Sequence, residues 1–201
     1  MSQKKIISLI ATICVMTFGA YRATHTQVTP RSRTYKPNSV ASTKQTSQKN
    51  TLTDDEIRAS TGVSVYIPVE RVIDGDTIIV TISGTSERVR LLGINTPETV
   101  DPRRAVQCFG TQASDKAKEL LTGSEVSLEL DPSQGLYDKY GRLLAYVRTK
   151  DLFFNEYMVQ AGYAYEYTYN TPYKYQSDFK RDQATAQAEE KGLWARGVCG
   201  K

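Results

Sequence analysis

The chain has 201 residues, 26 Lys+Arg, 22 Asp+Glu and one histidine, for a formal net charge of +4. That surplus lies ahead of the segment able to fold: residues 1–62 hold 9 basic and 3 acidic residues, which leaves 17 basic and 19 acidic ones in 63–201. A diffuse polyanion-binding field is therefore excluded for the folded part, and any nucleic-acid contact falls to a few placed cations; with the only histidine at His25, Ser-His, Cys-His and His-based metal chemistry are excluded there too.

In chain order, Lys4 and Lys5 precede an apolar run from Ile6 to Ala20. This predicts an export signal over residues 1–23, because the run is short of the roughly 20 residues a membrane span needs. An uncleaved N-terminal anchor is the alternative. Export places the domain outside, secreted or periplasmic. Residues 24–61, rich in Ser, Thr, Gln, Lys and Asn, predict a flexible linker: they hold too little apolar surface to offset the entropy of ordering. Thr53-Asp54-Asp55-Glu56 offers a helical start, with nothing after it expected to pack. The domain is expected over residues 62–201, a size that supports its own core.

Residues 64–74, 77–82 and 87–94 alternate or run in β-branched residues around Asp-Gly-Asp (74–76) and Ser-Gly-Thr-Ser (83–86), which predicts a three-stranded antiparallel meander. Ala113, Ala117, Leu120 and Leu121 recur at helical spacing over 110–123, and Gly123 is placed as the stop. Residues 124–131 and 142–149 predict two more strands, 153–162 and 177–192 two more helices, and Gly-Leu-Trp (192–194) a closing anchor. The order βββ-α-β-β-α-α leaves five short strands whose edges need cover. The fold class expected is α+β, mainly β: a five-stranded Greek-key OB-fold barrel with three helices. In an oxidising compartment Cys108 and Cys199 are expected to form a disulfide closing a loop of about 90 residues, worth on the order of 4 kcal/mol in the chain-entropy view; two buried free thiols are the alternative.

Chemistry in this domain rests on carboxylates, arginines, lysines and tyrosines. Ile73-Asp74-Gly75-Asp76-Thr77 reads alone as a tight turn. If the meander pairs as expected, Asn95 and Glu98 leave the third strand close to Asp76. Two carboxylates, an amide oxygen and nearby carbonyls form a hard-oxygen site that suits calcium or magnesium rather than zinc. Arg90 and Arg142, each a surface residue on its own reading, sit on strands that could bring both to one phosphate. Six tyrosines (163, 165, 167, 169, 173 and 175) crowd one stretch and are either base-stacking platforms or core and cover.

Together, Ile-Asp-Gly-Asp-Thr (73–77), Arg-Leu-Leu-Gly-Ile-Asn-Thr-Pro-Glu-Thr (90–99), Pro-Arg-Arg (102–104) leading to Gly110, Asp-Lys-Tyr-Gly-Arg (138–142), Asn-Glu (155–156), Ala-Gly (161–162) and Gly-Leu-Trp resemble the staphylococcal nuclease (thermonuclease) family in order and spacing. The resemblance implies an OB barrel and a calcium-dependent endonuclease that cleaves DNA and RNA with little sequence preference and leaves 3′-phosphate ends. It implies Asp76, Asn95 and the Thr96 carbonyl as Ca2+ ligands, and Glu98 as the base or orienter of water. Arg90 and Arg142 are implied as the phosphate-binding pair, Lys139 and Tyr140 as contacts to a terminal phosphate, and Asp74 as a residue behind the ligands. Asn95 stands where the family usually has Asp, so calcium binding is expected to be weaker. An ungapped match puts Thr168 and Asn170 at the family's tyrosine positions, and a one-residue shift puts Tyr167 and Tyr169 there. No obligate protein partner is expected, and the chain is expected to be monomeric. The rival reading is a nucleic-acid-binding barrel without catalysis, which rests on Asn95 alone.

Overall fold

The computed structural model describes residues 52–103 and 105–200. The expected export signal, most of the expected linker, His25 and Arg104 lie outside the described residues.

The three strands β1 (Ile67–Asp74), β2 (Thr77–Ile82) and β3 (Thr85–Leu91) form the antiparallel meander, with Val69 opposite Val80 and Thr77 opposite Arg90. After the helix α2 (Gly110–Leu121) the chain returns as β5 (Glu125–Glu129) and β6 (Leu143–Arg148), an antiparallel pair. β5 joins β1 at Ile67↔Val126, and β6 runs parallel to β3 at Val89↔Leu143, which closes the barrel in the order β1-β2-β3-β6-β5. Closure removes the open edges that five short strands would otherwise present to water.

The barrel interior follows from period-2 alternation: Ile78, Val80, Ile82, Val89, Val126, Leu128, Leu143, Ala145 and Val147 are all buried. In β1 the inward residues are Ile67, Val69 and Val72, a break in alternation that two register shifts, at Val69/Arg71 and Val72/Asp74, make possible. Ala113, Ala117 and Leu121 give α2 a buried face whose small residues allow close approach to the barrel. The helix α3 (Phe154–Gln160) is tied in by fully buried Asn155. Its Oδ1 accepts the Val147 N–H at 2.8 Å, and its Nδ2 donates to the Leu92 carbonyl at 2.8 Å. Helix α4 (Gln176–Ala188) contributes Phe179 to an aromatic layer with Tyr146, Phe153, Tyr173 and Tyr175, and a 3₁₀ turn over Gly192–Trp194 follows.

Two expectations are corrected. Residues Asp54–Ala59, expected within the linker, form a helix, α1, so there are four α-helices rather than three among the described residues. Thr53 and Glu56 cap it reciprocally, and Ile57 is fully buried in the core. A single large apolar residue on a six-residue helix leaves no periodic signal, so only the tertiary contact reveals it. The expected strand 87–94 breaks at Gly93, whose φ of 76° turns the chain; a Cβ there would come within 2.6 Å of the Tyr173 ring. Beyond it, β4 (Ile94–Asn95) pairs instead with β7 (Tyr165–Glu166) in a separate two-stranded sheet. Cys108 and Cys199 lie as a close pair, with Cα atoms 5.4 Å apart.

Candidate active site

The turn between β1 and β2 places Asp76 at the barrel's rim. Thr96 lies against that turn, so close that a Cβ on Gly75 would meet its Cγ2 at 2.5 Å. The contact lets buried Asp76 collect donors: Oδ2 accepts from the Thr96 N–H at 2.9 Å and the Thr96 hydroxyl at 3.2 Å, and Oδ1 from the Thr77 hydroxyl at 3.0 Å. Arg90, directly across the ladder from Thr77, reaches the same group, with Nη2 3.3 Å from Asp76 Oδ2. Nη2 also donates to Asn95 Oδ1 at 3.2 Å, and Nη1 donates to the Leu91 and Ile94 carbonyls at 2.6 and 2.9 Å. Asp76, Arg90, Asn95 and Thr96 thus form one hydrogen-bonded unit. Asp74 completes it by accepting the Asp76 N–H at 3.2 Å. Burial, and then the negative charge of Asp76, push the Asp74 carboxyl up to about 7; the Asp76 N–H and Arg90 offset only part of this.

Glu98 leaves this unit along the chain after Pro97. Its Oε1 accepts three successive backbone N–H groups, those of Thr99, Val100 and Asp101, at 2.9, 2.7 and 3.1 Å. Its own N–H donates to Gln107 Oε1 at 2.8 Å. One carboxylate oxygen is therefore anchored, and Oε2 has no partner among the described residues.

Arg142 stands at the end of the loop that leads into β6. It is held by Asp138: Nε donates to Oδ2 at 2.7 Å, Nη2 lies 2.6 Å from the same oxygen, and the Arg142 N–H donates to Oδ1 at 3.0 Å. Burial raises the Asp138 carboxyl, but the Arg142 N–H and guanidinium, with the Tyr140 N–H, outweigh it and leave it below the ordinary carboxylate value. Lys139 Nζ lies 5.1 Å from the Tyr140 ring centroid. Tyr167 and Tyr169 are exposed with ring centroids 6.4 Å apart.

The charged and tyrosine side chains named above, with Asn95, Thr96 and Gln107, line one open groove of about 990 Å3, far larger than one phosphate needs. Asp76, Arg90, Asn95 and Thr96 are in mutual contact; Glu98, Lys139, Tyr140, Arg142, Tyr167 and Tyr169 surround them across the groove. Thr168 turns away, its hydroxyl donating to Glu166 and accepting from Gln176 Nε2, both at 2.6 Å. Asn170 lines the groove with the two tyrosines. The other tyrosines are structural: Tyr173 is buried and donates to the Gly93 carbonyl at 3.1 Å, Tyr175 joins Glu129, Tyr163 packs at a tilt against Phe109, and Tyr165 meets Trp194 edge-on. Sequence reasoning missed Asp138 and Gln107, which position Arg142 and Glu98. The Asp138 signal was its place in the same short motif as Arg142; Gln107 had none.

No three of His, Cys, Asp and Glu converge among the described residues. A metal here would therefore combine carboxylate with neutral oxygens. Asp76, Asn95 Oδ1 and the Thr96 carbonyl would be the candidates for such a set, with Asp74 hydrogen-bonded to the Asp76 N–H. Asp74, pushed up to about 7 by burial and by the charge of Asp76 beside it, marks a crowding of negative charge that a hard divalent cation would relieve. The residues fit calcium.

The family described as "Staphylococcal nuclease homologue" matches residues 88–196, more than half of the chain. The chain belongs to the staphylococcal nuclease family. It is 44% identical over 127 residues to the thermonuclease of Staphylococcus hyicus, covering 63% of this chain and 74% of that one. It shows the same 44% over 128 residues with the thermonuclease of Staphylococcus intermedius, covering 64% and 75%. With the endonuclease YncB of Bacillus subtilis (strain 168) it shares 32% identity over 201 residues, covering 96% of this chain and 93% of that one. The closed five-stranded barrel with its helices is the OB-type architecture expected of this family.

Proposed function

We propose that this nuclease is a calcium-dependent, sugar-nonspecific endonuclease that hydrolyses DNA and RNA and leaves 3′-phosphate ends. The observation that carries the reading is one groove holding an oxygen-only ligand set, a carboxylate with one free oxygen, and two arginines. Asp76, Asn95 and the Thr96 carbonyl would hold the ion, which when bound draws charge from the phosphodiester and polarises its P–O bonds.

Glu98, anchored through Oε1, presents Oε2 to a water, orients it and accepts its proton as the water oxygen bonds to phosphorus. The P–O5′ bond breaks, the departing 5′ oxygen takes a proton from solvent, and the phosphate stays on the 3′ side. Arg90 and Arg142 donate to the phosphoryl oxygens as their charge grows. Arg90 has no partner for Nε among the described residues and shares Nη2 between Asp76 and Asn95, so its approach to phosphate exchanges protein acceptors for substrate ones. Tyr167 and Tyr169 offer faces to bases, and Lys139 with Tyr140 a contact to a flanking phosphate. Export through residues 1–23 is consistent with a calcium requirement, because the outer compartment supplies the ion.

The test is cleavage of single-stranded DNA, duplex DNA and RNA with calcium and with a chelator, and end-labelling with and without phosphatase. Calcium-dependent shortening with phosphatase-sensitive 3′ ends is expected. DNA that is bound at millimolar calcium but left intact would overturn catalysis and favour the binding-only reading that Asn95 suggests.

A further inference from the structure

Every arginine assigned above is engaged by a carboxylate. Arg90 is held by Asp76 and Arg142 by Asp138, and Arg103, also in the groove, is paired with Asp101 at 2.8 Å. Arg88 is different. It lines the groove, is exposed, and has no hydrogen-bonded or ion-paired side-chain partner among the described residues. It lies on β3 opposite Ile79, two positions before Arg90. Alternation on a strand sends residues two apart to the same face, so Arg88 and Arg90 point into one groove roughly 6.6 Å apart along the strand. A nucleic-acid strand carries a phosphate about every 3.4 Å of duplex axis, and further apart when extended. A guanidinium displaced by that distance meets a neighbouring phosphate, not the one Arg90 serves.

We infer that Arg88 forms an additional phosphate subsite, which takes the backbone phosphate adjacent to the scissile one. A phosphate at Arg90 or Arg142 must displace or share a carboxylate, and so recovers only part of its Coulomb energy. At Arg88 it displaces only water and counterions. The subsite is sequence-independent, because it reads backbone charge, and it favours a polymer over a single phosphodiester. It also answers the constraint set by the domain's net negative charge, which leaves polyanion binding to individually placed cations.

The inference rests on the groove being the substrate groove, so its test omits metal and reads binding alone. Fluorescence anisotropy of labelled dT12 in chelator, over a salt series, is compared for the full chain, Arg88→Ala, Arg88→Lys and Lys180→Ala. Lys180 is an exposed cation on α4 outside the groove. Arg88→Ala is expected to weaken binding about three- to tenfold and to flatten the slope of log K against log salt by about 0.7, the loss of one single-strand phosphate contact. Arg88→Lys keeps the slope, and Lys180→Ala changes neither quantity. An Arg88→Ala chain that binds and titrates with salt like the parent, or like Lys180→Ala, overturns the subsite. Calcium-dependent cleavage failing while the dT12 difference persists would sink the proposed catalysis and leave the subsite standing.

Discussion

Arg90 Nη2 lies 3.3 Å from Asp76 Oδ2, on the very carboxylate that heads the proposed metal ligands, and the same nitrogen takes Asn95 Oδ1 at 3.2 Å. Cation and arginine therefore draw on the same oxygens. An Asp at position 95 would add a negative charge to share between them. Asn95→Asp is predicted to tighten calcium binding about tenfold, roughly 1.4 kcal/mol, in a calorimetric titration without substrate. Unchanged affinity would remove Asn95 from the ligand set.

Glu98 has separable duties: Oε1 orders the Thr99–Asp101 turn, and Oε2 has no partner among the described residues. Glu98→Gln keeps an acceptor for the turn but cannot take a proton. Cleavage is predicted to fall by about 10²–10⁴-fold with little change in thermal midpoint. Glu98→Ala loses the turn as well and should lower the midpoint. Equal activity in Glu98→Gln and the parent would mean that Glu98 is not the base.

Asp138 touches no substrate in this scheme, yet it sets the direction of Arg142. Asp138→Asn is predicted to lower kcat roughly tenfold, with less effect on KM, because the guanidinium loses its charged anchor. The sign of its pH effect follows from its lowered folded-state carboxyl. Its stabilising contribution is present above the ordinary carboxylate value and is lost as pH falls through the lower, folded one. Urea midpoints measured between pH 6 and pH 3 should therefore fall less steeply in Asp138→Asn than in the parent. An identical acid limb in both would contradict the ion pair's contribution.

Tyr167 and Tyr169 are the exposed rings of the tyrosine run. Replacing either with Ala is predicted to weaken dT12 binding by about 1 kcal/mol, roughly fivefold, and duplex binding by less, because paired bases cannot stack on a ring. Tyr173→Ala, in contrast, should unfold the protein at lower urea without a specific loss of binding at native conditions, since its ring and hydroxyl serve Gly93 and the core. If all three variants bind alike, the groove tyrosines are cover and not platform.

Asn155 is predicted to be among the costliest polar residues to remove. Asn155→Ala leaves the Val147 N–H and the Leu92 carbonyl unpaired in the buried interior, a loss of about 2–5 kcal/mol readable by urea denaturation. A loss under 1 kcal/mol would mean that the barrel relaxes around the gap.

The barrel strands, the three longer helices and the residue types of the site were legible in the sequence, because each rests on a local rule: alternation for β2 and β5, helical spacing for Ala113, Ala117 and Leu121, turn chemistry at Asp74–Asp76. The motif order added the family, and with it roles for residues as plain as Lys139 and Tyr140. Contacts between distant segments were left to the tertiary structure, because no period encodes them. Whether Tyr167 or Thr168 enters the groove depends on β7 pairing with β4 across some 70 residues, and that pairing depends on the turn at Gly93. Ile57 became core only by meeting the barrel. The partner of each arginine was likewise a matter of three dimensions: the sequence spaces Arg88 and Arg90 alike on one strand, and only the fold brings Asp76 to Arg90 and leaves Arg88 without a carboxylate among the described residues.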